Sequence, residues 1–205
     1  MKRFILHIIA LIAMFTTSND VMAIDANTIL NNASNKITNS KSVYATFSLI
    51  DNGHSENGSI TLSGNKFAIS TNNLSTWFNG KTLWSYAHSA KEVNISEPTA
   101  SELQQINPFA IISNFKTAFN AKLLSSANGS YKIQLTPKNN KQPTKNVELT
   151  INSSTYLPSL IVITAKNNTK ATIKIKTIKP GNSVPASTFT FNAKKYPGVE
   201  IVDLR

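Results

Sequence analysis

Side chains able to do chemistry are few in this chain, and their spacing suits none of the usual reactions. Beyond the N-terminal stretch there are two histidines, His54 and His88, and neither has a second ligand at metal-binding distance along the sequence. With no cysteine and only scattered carboxylates, a metal site lacks material. Gly53-His54-Ser55-Glu56-Asn57-Gly58 holds the three residue types of a serine hydrolase, yet sequence neighbours cannot form a triad, and G-x-S-x-G is absent. Its Gly, Asn and Ser content reads as a polar hairpin loop. Glu92, Glu97 and Glu102 could pair for glycoside hydrolysis, but nothing fixes their separation. There is no phosphate loop. The expectation is a protein that is not an enzyme, with no cofactor and no metal.

Met1-Lys2-Arg3, an apolar run from Phe4 to Phe15 and Val21-Met22-Ala23 together read as a secretory signal peptide, residues 1–23, cleaved after Ala23. About 12 apolar residues is too short to span a bilayer, which needs roughly 20. The mature chain, 24–205, is one domain's length and can bury a core. An exported chain without cysteine has no disulfides to lean on, and it lacks the cysteine that would carry a lipid anchor after the leader. Formal net charge is +11; the leader removes two cations and one anion, leaving +10. That favours anionic surfaces, but the lysines are dispersed along strands, and nucleic acid is not an expected partner.

Local signals then divide the chain. Asp25 can cap a helix over about 26–39, with Ala26, Ile29, Leu30, Ala33 and Ile37 on one stripe. Period-two patterns follow at 43–50, 58–63, 66–71, 82–87 and 91–95, then at 121–126, 130–136, 145–152, 157–165, 169–178, 188–192 and 199–203. Between the two sets, Thr99 and Glu102 form a capping-box spacing. Asn107-Pro108 then opens a helix whose Phe109, Ile112 and Phe115 line one face, with Phe119 at i+4. The sum is an α+β, mainly β domain: an unclosed antiparallel barrel of about eleven strands with helices as a lid. An outer-membrane barrel is excluded by the Thr and Lys on the second face of its strands.

Both tryptophans fall in Trp77-Phe78-Asn79-Gly80-Lys81-Thr82-Leu83-Trp84-Ser85-Tyr86. Asn-Gly predicts a two-residue type I′ hairpin, with Phe78 opposite Lys81 and Trp77 opposite Thr82. Trp77, Thr82, Trp84 and Tyr86 then share one face, and Phe78, Leu83 and Ser85 the other. The aromatic face suits either a plain core under a helix or the wall of a cavity, and this window does not separate the two.

The stretch Asn79–Tyr86 resembles the D/N-G-K-T-L-W-x-Y hairpin of the LolA family of periplasmic lipoprotein carriers. Asn107-Pro108-Phe109-Ala110-Ile111-Ile112 is similar to that family's central helical segment, and Phe189-Thr190-Phe191 with Tyr196–Asp203 to its closing F-x-F…P-x-G-V-x-V-x-D. The resemblance implies a LolA/LolB-like fold and a periplasmic chaperone working as a monomer. It would take acylated lipoproteins from an inner-membrane ABC transporter to an outer-membrane acceptor. It implies lipid-binding roles for Phe47, Phe67, Trp77, Trp84 and Tyr86 as cavity wall, and for Phe109, Ile112, Phe115 and Phe119 as the lid's inner face. A carrier of another lipid, or a lipid-sensing domain on the same scaffold, are the alternatives. One departure stands out: the family's lid-tethering arginine on the strand before the hairpin is missing, and Lys66 stands nearby.

Overall fold

The computed structural model describes residues 24–205, so the expected leader lies outside the described residues. Helix α1 (Ala26–Thr38) starts where the Asp25 carboxylate accepts from the amides of Asn27 and Thr28, at 2.6 and 2.9 Å. Its apolar residues recur every three or four positions, so one stripe is buried and the rest faces water. Six strands follow: β1 (Ser42–Asp51), β2 (His54–Ser63), β3 (Lys66–Thr71), β4 (Leu74–Phe78), β5 (Leu83–Ala87) and β6 (Glu92–Ser96). Three short helices come next, α2 (Ala100–Ile106), α3 (Phe109–Ser113) and α4 (Phe115–Ala118). Then come β7 (Phe119–Ala127), β8 (Ser130–Pro137), β9 (Thr144–Asn152), β10 (Pro158–Ala165), β11 (Lys170–Gly181) and β12 (Glu200–Asp203).

All twelve strands form one open sheet in the order β12-β6-β5-β4-β3-β2-β1-β11-β10-β9-β8-β7. The fold is the expected mainly β, unclosed barrel with helices against one face. Every pairing is antiparallel except β12 with β6. Between β11 and β12 the chain crosses the sheet's other face as a strap, residues 182–199.

Three local expectations need correction. Residues 188–192 do not form a strand: Ala186–Phe189 is a 3-10 turn, and Thr190 continues extended with no ladder partner. The alternation Phe189-x-Phe191 is there, but it docks on the sheet's surface instead of joining an edge. The helical segment ends early. Asn114, at φ −108° and ψ 14°, breaks it, and Phe119 at φ −135° and ψ 153° is already strand. Finally, the polar loop at 53–58 is mostly strand β2, because the two-residue turn lies at Asn52-Gly53 (φ 47° and 81°), joining Asp51 to His54.

Asn79-Gly80, by contrast, makes a wider loop. The Asn79 side-chain carbonyl accepts from the amides of Lys81 and Thr82, at 3.0 and 2.9 Å, and closes the turn from within. Pairing therefore begins at Phe78 with Leu83, and Trp77 sits opposite Trp84. This register differs from the expected one by two residues, so every paired side chain keeps its expected face, while Thr82 falls in the loop.

A bulge between Thr46 and Phe47 serves the core in β11. Strict alternation would turn Ile178 away from Ile173 and Ile175; the bulge places Ile175 against Phe47 and Ile178 against Ala45, and all three isoleucines join the apolar cluster. Within that cluster Ile133, Leu135, Val147, Leu149, Ile151 and Ile161 of β8–β10 are fully buried, as are Ile29, Leu30 and Ala33 of α1.

Candidate functional site

The face of β1–β3 that meets the helices is set by alternation. Phe47, Leu49, Ile60, Leu62, Phe67 and Ile69 point one way. Phe47 is the least regular of them. Its ring lies over the backbone of β2 at Gly58, where an added Cβ would come within 2.6 Å of Cζ, so only glycine leaves it room.

Above this face sit α2 and α3. Thr99 and Glu102 form the expected capping box at the start of α2. The half-turn between the helices is fixed by Asn107, itself buried, whose side-chain carbonyl accepts from the amide of Phe109 at 3.0 Å. Phe109, Ile111, Ile112 and Phe115 are all buried in the apolar cluster.

The helices do not fill the space below them. A hollow of about 370 Å³ lies between Phe47, Leu49, Ile60 and Ile69 on one side, Ile163 and Ile173 on another, and Ile106 and Pro108 above. At about 30 Å³ for each water-sized group it holds about a dozen such groups. Two further hollows flank the same helices. One, of about 250 Å³, lies beside Ile111, Phe119, Val147 and Ile163. The other, of about 390 Å³, lies beside Phe67, Phe78, Leu103 and Asn107.

The residues expected to bind lipid fall into two groups. Phe47, Phe67, Phe109, Ile112, Phe115 and Phe119 belong to the cluster between sheet and helices. Trp77, Trp84 and Tyr86 do not; the register puts them on the opposite face of the sheet. There Trp77 packs on Phe191 and Tyr196, with ring centroids 5.5 and 5.8 Å apart, and Tyr86 lies 4.6 Å from Tyr196. The strap packs on Trp77 and Tyr86 and leaves a hollow of about 630 Å³ beside Trp77, lined largely by its own polar residues Ser187, Thr188, Asn192 and Lys194. Phe189 and Val93 are fully enclosed there, and burial together with the neighbouring Tyr86 raises the Tyr196 phenol above its ordinary value. The placement of these three with Phe47 and Phe67 on one wall is thus corrected: sheet alternation separates the two sets.

Lys66 also faces the strap side, since Phe67 and Ile69 face the helices. It cannot stand in for a lid-tethering arginine. His88 Nε2 is 2.8 Å from the hydroxyl of buried Ser75, its ring 5.1 Å from Tyr86, so it serves packing under the strap. Among the described residues no three of His, Cys, Asp and Glu gather as a metal set, and no helix is long and apolar enough to cross a membrane.

Sequence reasoning missed Leu49, Ile60, Ile69, Ile106, Ile163 and Ile173 as lining residues. Their signal was alternation alone, which marks a core and a cavity wall in the same way.

A family model described as outer membrane lipoprotein carrier protein LolA matches residues 16–167. No curated protein sequence matches the chain. Among solved structures, an uncharacterized conserved protein from Thermus thermophilus is similar over 87% of this chain and 98% of its own, at 14% identity and a TM-score of 0.62. A DUF1329 family protein from Desulfovibrio piger is similar over 82% and 98%, at 10% identity and a TM-score of 0.51. At such identities the likeness is one of fold.

Proposed function

The chain belongs to the family of the outer membrane lipoprotein carrier protein LolA, and from that premise we propose that its hollow shelters acyl chains of lipoproteins in the periplasm. It collects them from an inner-membrane ABC transporter and delivers them to an outer-membrane acceptor. One exposed C16 chain costs on the order of 12 kcal/mol in water, at about 0.8 kcal/mol per methylene. A lipoprotein bears several, so it crosses an aqueous gap only inside a container. No bond need be made or broken.

The observation that carries this reading is the apolar hollow beneath α2 and α3, walled by Phe47, Ile60, Ile69 and Ile173. As it stands it accepts about a dozen methylene-sized groups, part of one chain, so full loading requires the cover to move. Helices of seven, five and four residues are far below the length at which a helix holds itself together in water. They persist by packing on the sheet and are the elements most ready to lift. Phe109, Ile112 and Phe115 then exchange contacts with the sheet for contacts with cargo. The two states bury similar area, which keeps affinity low enough for release.

The test is binding of a triacylated lipopeptide to purified protein, read by displacement of the neutral fluorescent probe 1-aminoanthracene, with mass spectrometry of what co-purifies from the periplasm. Displacement together with lipoprotein in the isolate supports the proposal. Bare phospholipid in the isolate with no lipopeptide binding points to a carrier of another lipid and overturns it.

A further inference from the structure

Of the side chains bordering the hollow beneath α2 and α3, the charged ones are Asp51 and Glu56. That runs against composition, because the chain carries 21 Lys and Arg against 10 Asp and Glu. Both acids sit on the helix side of the sheet, at the hairpin end of β1 and β2. Leu49 pairs with Glu56 and Asp51 with His54, and Phe47, Leu49 and Asp51 alternate along one face. Glu56 is half-buried and held in place, one carboxylate oxygen accepting from the Asn73 amide at 2.9 Å. Among the described residues the ion pairs are Lys81–Glu97 and Arg205–Asp203, so neither acid is engaged by a cation of the chain. The nearby Lys176 is turned to the other face, donating to the Asn57 side chain.

We infer that Asp51 and Glu56 select cargo by its head group, favouring amphiphiles that carry an ammonium next to the acyl chain and disfavouring anionic ones. The inference rests on the carrier reading above. A tail lying along Ile60, Ile69 and Ile173 brings its head to the end where the carboxylates stand. An ammonium there meets two anions, whereas a sulfate or phosphate without a compensating amine meets repulsion. The ammonium could be the amino head of a phospholipid or the free α-amino group of an acylated polypeptide; the recognition chemistry is the same.

The experiment compares dodecyltrimethylammonium with dodecyl sulfate, two ligands of equal tail and opposite head, below their micelle concentrations. Each is titrated against 1-aminoanthracene bound to the native chain and to Asp51→Asn/Glu56→Gln, with Glu56→Gln alone as a second variant. Low salt should show the cation binding about tenfold tighter, a ratio expected of one exposed and one half-buried carboxylate and shrinking as ionic strength rises. The double variant should bring the ratio to about one or below. Equal affinities in the native chain, or a ratio the variants leave unchanged, would overturn the inference and leave the carrier reading standing. If neither ligand displaces the probe, the carrier reading itself fails and this one with it. Repeating the titration with phosphatidylethanolamine and with a diacylated lipopeptide bearing a free amine identifies the source. The ligand weakened by Glu56→Gln is the one recognised, and weakening of neither overturns the assignment.

Discussion

On its helix side the sheet offers Phe47, Ile60, Phe67 and Ile69 to three short helices that leave hollows around them. On its other side it offers Trp77 and Tyr86 to a single strap, which packs Phe191 and Tyr196 on them and leaves a hollow of about 630 Å³ beside Trp77, lined largely by the strap's own polar residues. Large apolar side chains are equally available on both. The difference lies in the cover. The strap is tied at both ends into the sheet, through β11 and β12, and its aromatic rings meet the sheet's rings at ordinary packing distances. The middle helices are tied by their own packing and one capped turn. An acyl-binding site is therefore to be sought where the space under the cover is walled by aliphatic side chains, as it is beneath α2 and α3, and not under the strap, whose hollow is lined by Ser187, Thr188, Asn192, Lys194 and Lys195.

The largest expected effect tests the strap side. Phe189→Ala empties a fully enclosed site under the strap and should cost about 3–5 kcal/mol of stability by urea unfolding, while acyl binding per folded molecule stays unchanged. Lost binding at unchanged stability would invert the roles assigned to the two faces.

Next comes the hollow side. Ile69→Glu sets a carboxylate in an apolar wall that is only half-buried, so it should lower stability by about 1–3 kcal/mol and weaken 1-aminoanthracene binding by at least about tenfold. A variant that unfolds outright would mark Ile69 as ordinary core. Gly58→Ala acts through Phe47. The new methyl would fall within 2.6–2.9 Å of that ring and 3.0 Å of the Ser70 carbonyl, driving the ring into the hollow. A loss of about 1–3 kcal/mol and weaker binding of the longest tails are expected, measured across a series of alkyl chain lengths.

These positions also show what could be read from sequence and what could not. Alternation gave the strands and sorted side chains into two faces; the sorting of Trp77, Trp84 and Tyr86 away from Phe78 and Leu83 survived even a two-residue error in register. Which face receives the helices is a long-range fact. It depends on how residues 97–119 and 182–199 fold back over the sheet, and no local period encodes that. The alternating Phe189-Thr190-Phe191 looked like a strand for the same reason, since a chain docking flat on a sheet alternates as a strand does. Asn-Gly was informative as a turn but not as a turn type. At 52–53 it takes positive φ at both residues, whereas Asn79 spends its side chain on the amides of the loop. The burial of Phe109, Ile112 and Phe115 was legible because helical spacing and capping residues agreed.

Trp84 sharpens the contrast. It is half-buried on the strap face, next to Ile95, so Trp84→Glu should leave acyl binding within about twofold of native, in line with changes away from a site. A tenfold loss there would mean that cargo reaches the strap side.

Acid gives the subtlest separation of the two covers. At the start of α2 the Glu102 carboxylate accepts from the Thr99 amide at 2.7 Å and the Thr99 hydroxyl at 2.9 Å. These bonds hold its carboxyl below the ordinary 4.5. Because the folded value is the lower one, the cap's contribution is complete above pH 4.5 and fades as pH falls through the folded value. The strap, residues 182–199, contains no Asp or Glu and has no such dependence of its own. Amide exchange by mass spectrometry, corrected for the intrinsic effect of pH, should therefore show α2 losing protection below pH 4.5 while the strap retains it. Glu102→Ala should loosen α2 at neutral pH and abolish the difference. If strap and helix open together on acidification, the two covers belong to one cooperative unit, and the helices cannot lift alone to admit a ligand.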